Sequence, residues 1–353
     1  MQASVVLGIE SSCDETAASV VKGDREILSN VVLSQLDQHR PFGGVVPEIA
    51  AREHARHLDG IVCDAVKQAE LEFDDLDAVS ATAGPGLIGG VLVGATMAKT
   101  IAIAAGIPFI AVNHLEAHAL TARLTDGVLF PYLLLLISGG HCQLLAVEGV
   151  GRYRRYGTTI DDAVGEAFDK SAKLLGLGFP GGPALEALAR GGDPKRIELP
   201  CPMFGRPGCD FSFSGLKTAV REKVMRKTDL SPIDNADLAA SFQNVVARSL
   251  VDRSANAIEI FESEFGKGHS FVMAGGVAAN QILREHLREL ADNRAMTFVV
   301  PPPNLCTDNA AMVAWAGVER LALGLTNNFD FVPRPRWPLD PLASALRSTR
   351  GKA

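Results

Sequence analysis

The chain has 353 residues, of which 47% are hydrophobic and 21% charged, enough apolar material for two cores of ordinary domain size. A formal net charge of -7 excludes a protein that holds nucleic acid unaided along a broad basic face, because phosphate neutralisation supplies most of that affinity. Six cysteines without any C-x-x-C spacing argue against a disulfide framework and imply reduced thiols in the cytosol.

From the start, MQASVVLGIE lacks the basic region and apolar length of a signal peptide. The run VVLGIESSCDETAASVV (Val5–Val21) predicts a β-hairpin whose turn carries Ser12 to Thr16. Leu76–Val112 predicts strand, Gly-Pro-Gly turn, helix and strand. Its apolar tract from Val91 to Val112 is broken by Lys99 and Pro108, so it reads as a buried helix followed by a strand and not as a membrane span. Then PYLLLLISGGHCQLLAV (Pro131–Val147) repeats the hairpin, and Ser270–Val300 repeats the strand–glycine–helix–strand unit. Duplicated α/β halves predict two similar lobes with a cleft between them, parted near Thr121–Phe130. The first lobe is expected over 1–125, completed by roughly 305–340, the second over 126–304, and a tail over 341–353. From Asp161, DDAVGEAFDKSAKLLGL predicts a helix, with Asp162, Glu166 and Asp169 on one face. Beyond Phe329 the Pro-rich, basic composition predicts an extended tail on the surface or a partly disordered one.

His114 and His118 in NHLEAH stand four apart, the spacing that puts two imidazoles on one helix face within reach of a shared cation. Ordinary surface or capping roles fit the same spacing. In a metalloprotease H-E-x-x-H site the glutamate follows the first histidine directly; Glu116 comes two later, roughly 200° around the helix, and is expected to point away. Asp308, opening a small-residue helix, is the candidate third ligand and equally a candidate helix cap. Two histidines and a carboxylate suit Fe(II), with zinc as the other fit. LISGGH offers backbone amides at two positions without Cβ, a cradle for an anion. Asp14 and Glu15 are the candidate catalytic carboxylates. Lys217, Arg221, Lys223, Arg226 and Lys227 form a basic helix face for a nucleic-acid backbone or for solvent.

Taken together, GIESSCDET, VNHLEAH, LISGGH, DDAVGEAFDK, FPGGP, FSFSGLKTAVR, AGGVAAN and CTDNAAM resemble the tRNA N6-adenosine threonylcarbamoyltransferase family, once described as O-sialoglycoprotein endopeptidases. The resemblance implies an α/β, actin-like (Hsp70-like) ATPase fold with two ribonuclease-H-like lobes and a cytoplasmic acyltransferase. Its implied reaction moves a threonylcarbamoyl group from threonylcarbamoyl-AMP to N6 of adenosine 37 in tRNAs reading codons that begin with A. Carried over residue by residue, His114, His118 and Asp308 match its metal ligands. Leu136, Ile137, Ser138, Gly139, Gly140, Asp169, Gly182 and Asn280 match its adenylate-binding positions. Glu186 stands where some members have a ribose-contacting Asp. A shorter, non-catalytic paralogue (TsaB-like) and a small P-loop ATPase (TsaE-like) are the implied partners. The rival readings are a kinase or chaperone-type ATPase of the same fold, which needs no histidine pair, and a scaffold paralogue, which has no reason to keep one.

Overall fold

The computed structural model describes residues 3–226 and 232–343. In chain order the first stretch runs β1 (Val5–Glu10), β2 (Glu15–Lys22), β3 (Ile27–Ser34), α1 (Leu36–His39), α2 (Pro47–Gln68), β4 (Ala78–Gly84), α3 (Ile88–Ala105), β5 (Phe109–Asn113) and α4 (His114–Asp126). It continues with β6 (Tyr132–Ile137), β7 (Cys142–Gly149), β8 (Arg152–Thr158), α5 (Val164–Leu174), α6 (Gly181–Ala189), α7 (Ser214–Arg226), α8 (Pro232–Phe265) and β9 (Ser270–Ala274). The last elements are α9 (Gln281–Asn293), β10 (Thr297–Val299), α10 (Pro303–Cys306) and α11 (Ala310–Ala322). Two compact units result: 1–127 with 150–152 and 307–353, and 128–149 with 153–306.

Unit 1 is built on a sheet of order β3-β2-β1-β4-β5. Strands β1 to β3 form an antiparallel meander, while β4 and β5 join β1 in parallel through the crossover helix α3. Strand alternation divides β1 cleanly. Val5, Leu7 and Ile9 pack into the cluster with Leu58 and Val62 of α2 and Ala98 and Ala102 of α3. Gly8 lies on the other face, beneath α11, where a Cβ would sit 2.4 Å from the Ala314 nitrogen; only glycine lets the helix cross there.

Helix α3 is apolar and long enough to resemble a membrane span by composition. Its Gly90, Val91, Gly94, Ala95, Ala98 and Ala102 are nevertheless buried, and it links β4 to β5 as a crossover. The segment from Asn327 to Trp337 is hydrogen-bonded into the unit. Asn327 pairs with Phe109, the Arg334 amide donates to the Ala83 carbonyl, and the Asn113 side chain donates to the Trp337 carbonyl. Residues 344–353 lie outside the described residues.

Unit 2 repeats the plan, with sheet order β10-β9-β6-β7-β8. Here β6 pairs antiparallel with β7 and parallel with β9, and β10 joins β9 in parallel. The buried faces of β6 and β7 pack with α8, including Phe242, Val246 and Leu250, and with Phe168 of α5. One sequence expectation needs correction. Helix α5 begins at Val164, with Ala163 as its cap, so Asp162 precedes the helix and does not share a face with Glu166 and Asp169. Asp161 instead accepts from the Phe213 and Ser214 amides and both neighbouring serine hydroxyls, which satisfies the exposed N–H groups that open α7.

Candidate metal centre and nucleotide turn

The α4 helix starts at His114, directly after Asn113, whose side chain accepts from the Leu115 amide as an N-cap. One turn later His118 lies beside His114, with ring centroids 4.7 Å apart. Asp308, in the turn before α11, completes the group: its Oδ1 is 3.1 Å from His118 Nε2 and 3.5 Å from His114 Nε2. The cap of α11 is Asn309, which accepts from the Met312 amide, so the capping role considered for Asp308 belongs to the next residue. One ligand atom from each of the three residues lies within 4.8 Å of the others, all within unit 1.

These residues fit a cation. Two imidazole nitrogens and a carboxylate oxygen converge, and Glu116 does not join them. Its carboxylate is buried and bound to Arg320 at 2.8 Å, so Glu116 does not serve as the base of an H-E-x-x-H site. Among the described residues, His118 Nδ1 is buried without a hydrogen-bond partner. Burial works against the His114 cation, but the Asp308 and Glu10 carboxylates outweigh it and push the ring up to about 9.

Sequence reasoning missed what stands behind His114. Glu10, fully buried at the end of β1, faces its Nδ1 at 3.1 Å, and the Ser12 hydroxyl lies 3.2 Å from the same nitrogen. Burial tends to raise the Glu10 carboxyl, yet the adjoining His114 ring holds it below its usual range. A charge closing the otherwise apolar strand VVLGIE was the available signal. Of the candidate catalytic pair, Glu15 opens β2; burial, then the neighbouring Asp308 and Asp14 carboxylates, hold it well above the ordinary carboxylate range. The Asp14 carbonyl accepts from the Gln35 amide.

In unit 2, Leu136 and Ile137 end β6, and Ser138 to His141 form the turn. The Ser138 amide donates to the His141 carbonyl and the His141 amide to Ser138 Oγ, which leaves the glycine amides outside the bonds that close the turn. Nothing lies within 4 Å of where a Cβ would stand on Gly139 or Gly140. Beneath the turn the chain is tight: a Cβ on Gly165 would fall 2.6 Å from the Ser138 carbonyl oxygen, and one on Gly275 (φ +92°) 2.4 Å from that of Ile137. Asp169 Oδ1 accepts from the Gly181 and Gly182 amides, fixing the start of α6. Asn280 caps α9 through Leu283 and donates to Gln243, and Glu186 accepts from the Gln281 amide. The basic helix is partly neutralised, since Lys217 pairs with Asp162, while Arg221 and Lys223 are exposed. Lys227 lies outside the described residues. All six cysteines are free.

The unit topology has clear counterparts. The Acidaminococcus fermentans (R)-2-hydroxyglutaryl-CoA dehydratase component A is similar at TM-score 0.53 and 17% identity, over 90% of this chain and 99% of its own. HypF of T. kodakarensis is similar at TM-score 0.57 and 16% identity, over 91% and 48%. These likenesses define an α/β protein of the actin-like ATPase fold class. A family model for tRNA N6-adenosine threonylcarbamoyltransferase matches residues 26–315. Relatives bearing that name are 63% identical in Paramagnetospirillum magneticum, over 96% of this chain and 98% of theirs, and 64% identical in Rhodospirillum rubrum, over 98% of both. The chain belongs to the tRNA N6-adenosine threonylcarbamoyltransferase family: it is an acyltransferase that forms threonylcarbamoyladenosine in tRNA.

Proposed function

We propose that the donor is threonylcarbamoyl-AMP and the acceptor is N6 of adenosine 37 in tRNAs reading codons that begin with A. N6 attacks the carbamoyl carbon, the bond from that carbon to the phosphate oxygen breaks, and AMP leaves. The observation that carries this reading is the near-full-length identity to named relatives together with the intact convergence of His114, His118 and Asp308.

An exocyclic adenine amine is a weak nucleophile, so the rate must come from positioning and from stabilising charge on the carbonyl and departing phosphate. We assign Leu136 to Gly140, Gly182 and Asn280 to adenylate binding, the open glycine amides meeting the phosphate. Asp169 belongs to the same set and acts through the amides it orders at Gly181 and Gly182. Glu186 is tied to the Gln281 amide on the neighbouring helix start. His114, His118 and Asp308 hold one divalent ion, Fe(II) by the donor set and zinc as the other fit. Such an ion, when bound, polarises a carbonyl or phosphoryl oxygen. Glu15, with Asp14 beside it, is the candidate base for the N6 proton, since burial and the neighbouring carboxylates raise its affinity for a proton.

A net charge of -7 supports tRNA capture with help from partners, a shorter TsaB-like paralogue and a small TsaE-like ATPase. The free cysteines suit a reducing cytoplasm. The test is a reconstituted reaction with threonylcarbamoyl-AMP and two tRNAs, one reading codons that begin with A and one not. Equal modification of both contradicts the acceptor assignment, and full-rate modification by the isolated chain contradicts the partner assignment.

A further inference from the structure

Glu10 carries no role in the reading given so far, yet its surroundings are more specific than packing requires. Alternation along β1 turns Val5, Leu7 and Ile9 toward α2 and α3 and places Glu10 on the face of Gly8, beneath α11. A buried carboxylate is tolerated only when its oxygens find donors. Here Oε1 accepts from the Ser12 amide at 2.6 Å and Oε2 from the Thr82 hydroxyl at 2.5 Å. Oε2 also faces His114 Nδ1 at 3.1 Å. For stability alone this is a poor use of the position, because apolar replacements of buried charges are commonly neutral or stabilising. The duplicated unit shows such a replacement: β6 ends on the fully buried Ile137 where β1 ends on Glu10.

We propose that Glu10 is the positioning residue of the metal centre. Its carboxylate accepts the Nδ1–H of His114 and thereby turns the Nε2 lone pair of that ring toward His118 and Asp308. The proposal rests on the metal reading given above.

The chemistry follows from donor and acceptor counts. An ionised carboxylate can only accept, so the nitrogen facing it must carry the proton. A neutral imidazole protonated at Nδ1 has its lone pair on Nε2, the nitrogen 3.5 Å from Asp308 Oδ1. The Ser12 oxygen, 3.2 Å from Nδ1, shares the same proton as a second acceptor. Thr82 and the Ser12 amide in turn stop the carboxylate from rotating. His118 has no matching support, since its Nδ1 lacks a partner among the described residues. The two ligands are therefore unequal, with His114 the ring whose direction is set from behind.

Glu10→Gln is the informative change. It keeps size and shape, but one end of the amide donates, so either the Ser12 amide or the His114 ring meets a donor instead of an acceptor. Cobalt and zinc affinities of the full chain, measured by chelator competition, should fall roughly 10- to 100-fold in Glu10→Gln. Thr82→Val, which acts on the ring through the carboxylate, should weaken binding by a smaller factor, about 3- to 10-fold. Zinc-loaded wild type should also show a slowly exchanging, low-field imidazole N–H proton that Glu10→Gln lacks. If Glu10→Gln fails to fold, Thr82→Val carries the test. Wild type that binds cobalt while Glu10→Gln, or in its place Thr82→Val, binds within twofold overturns the proposal and leaves the metal reading standing. Wild type that takes up neither metal ends that reading and the proposal together.

Discussion

The two sheet units are copies in plan, and the turns that close their first hairpins show how differently one scaffold can be furnished. Strands β1 and β6 are both six residues long, hold the same place in their sheets, and lead into turns of four residues. The first turn, Ser11 to Asp14, is packed. Ser11 Oγ donates to the Gly90 carbonyl, the Leu87 amide donates to the Ser12 carbonyl, and Gly94 leaves just enough room for the Ser11 hydroxyl. The second, Ser138 to His141, has two exposed glycines with open space above them. Its tight contacts lie beneath, at Gly165 and Gly275. A duplicated backbone thus supplies one turn that holds side chains still and one with bare, open amides, which we propose admit the adenylate.

The strongest way to sharpen this comparison is to remove a ligand from the furnished side. His118→Ala should lower cobalt or zinc affinity by at least about 100-fold, since the ion loses one of three protein ligands. Titration with a chelator competitor measures it. Next come the glycines, which serve packing in one unit and access in the other. Gly8→Ala should destabilise the protein by about 2–4 kcal/mol in chemical denaturation, because the added Cβ meets the α11 backbone. Gly139→Ala should alter stability by less than about 0.5 kcal/mol, since the space is open. It should nonetheless weaken adenylate binding, read by calorimetry, because the methyl stands over the amides.

The smallest effect concerns Asp161. Burial raises its carboxyl, but bonds from Ser212, Ser214 and the Phe213 amide outweigh burial and set it below its ordinary value. A depressed native value means that the stabilisation is full above the unfolded value and is lost as pH falls through the native one. Asp161→Ala should therefore cost about 1 kcal/mol at neutral pH, as cap removals do. The difference between the two melting curves should close in acid.

Much of the plan was legible because hairpins and crossover helices are local patterns. VVLGIESSCDETAASVV and PYLLLLISGGHCQLLAV each fold as two strands around a short turn, and NHLEAH opens a helix at His114, on which the two histidines lie one turn apart. The helix expected from Asp161 was placed too early, because two acidic residues before an apolar period look like a first turn. One of them spends its oxygens on α7, some fifty positions later in the chain. The support behind His114 was equally hidden. Glu10 reaches it from a strand 104 positions earlier in the chain and is itself held by Thr82, 72 positions after Glu10, a proximity set by sheet order rather than by any local period.

The central claim is that this chain uses His114, with its partners His118 and Asp308, to carry out threonylcarbamoyl transfer to tRNA. Mass spectrometry of nucleosides from tRNA incubated with threonylcarbamoyl-AMP and the partner proteins tests it most directly. Wild type should yield threonylcarbamoyladenosine, and folded His114→Ala should yield at least about 100-fold less over the same time, in line with losing a ligand of a catalytic ion. Equal yields from the two proteins would contradict the account.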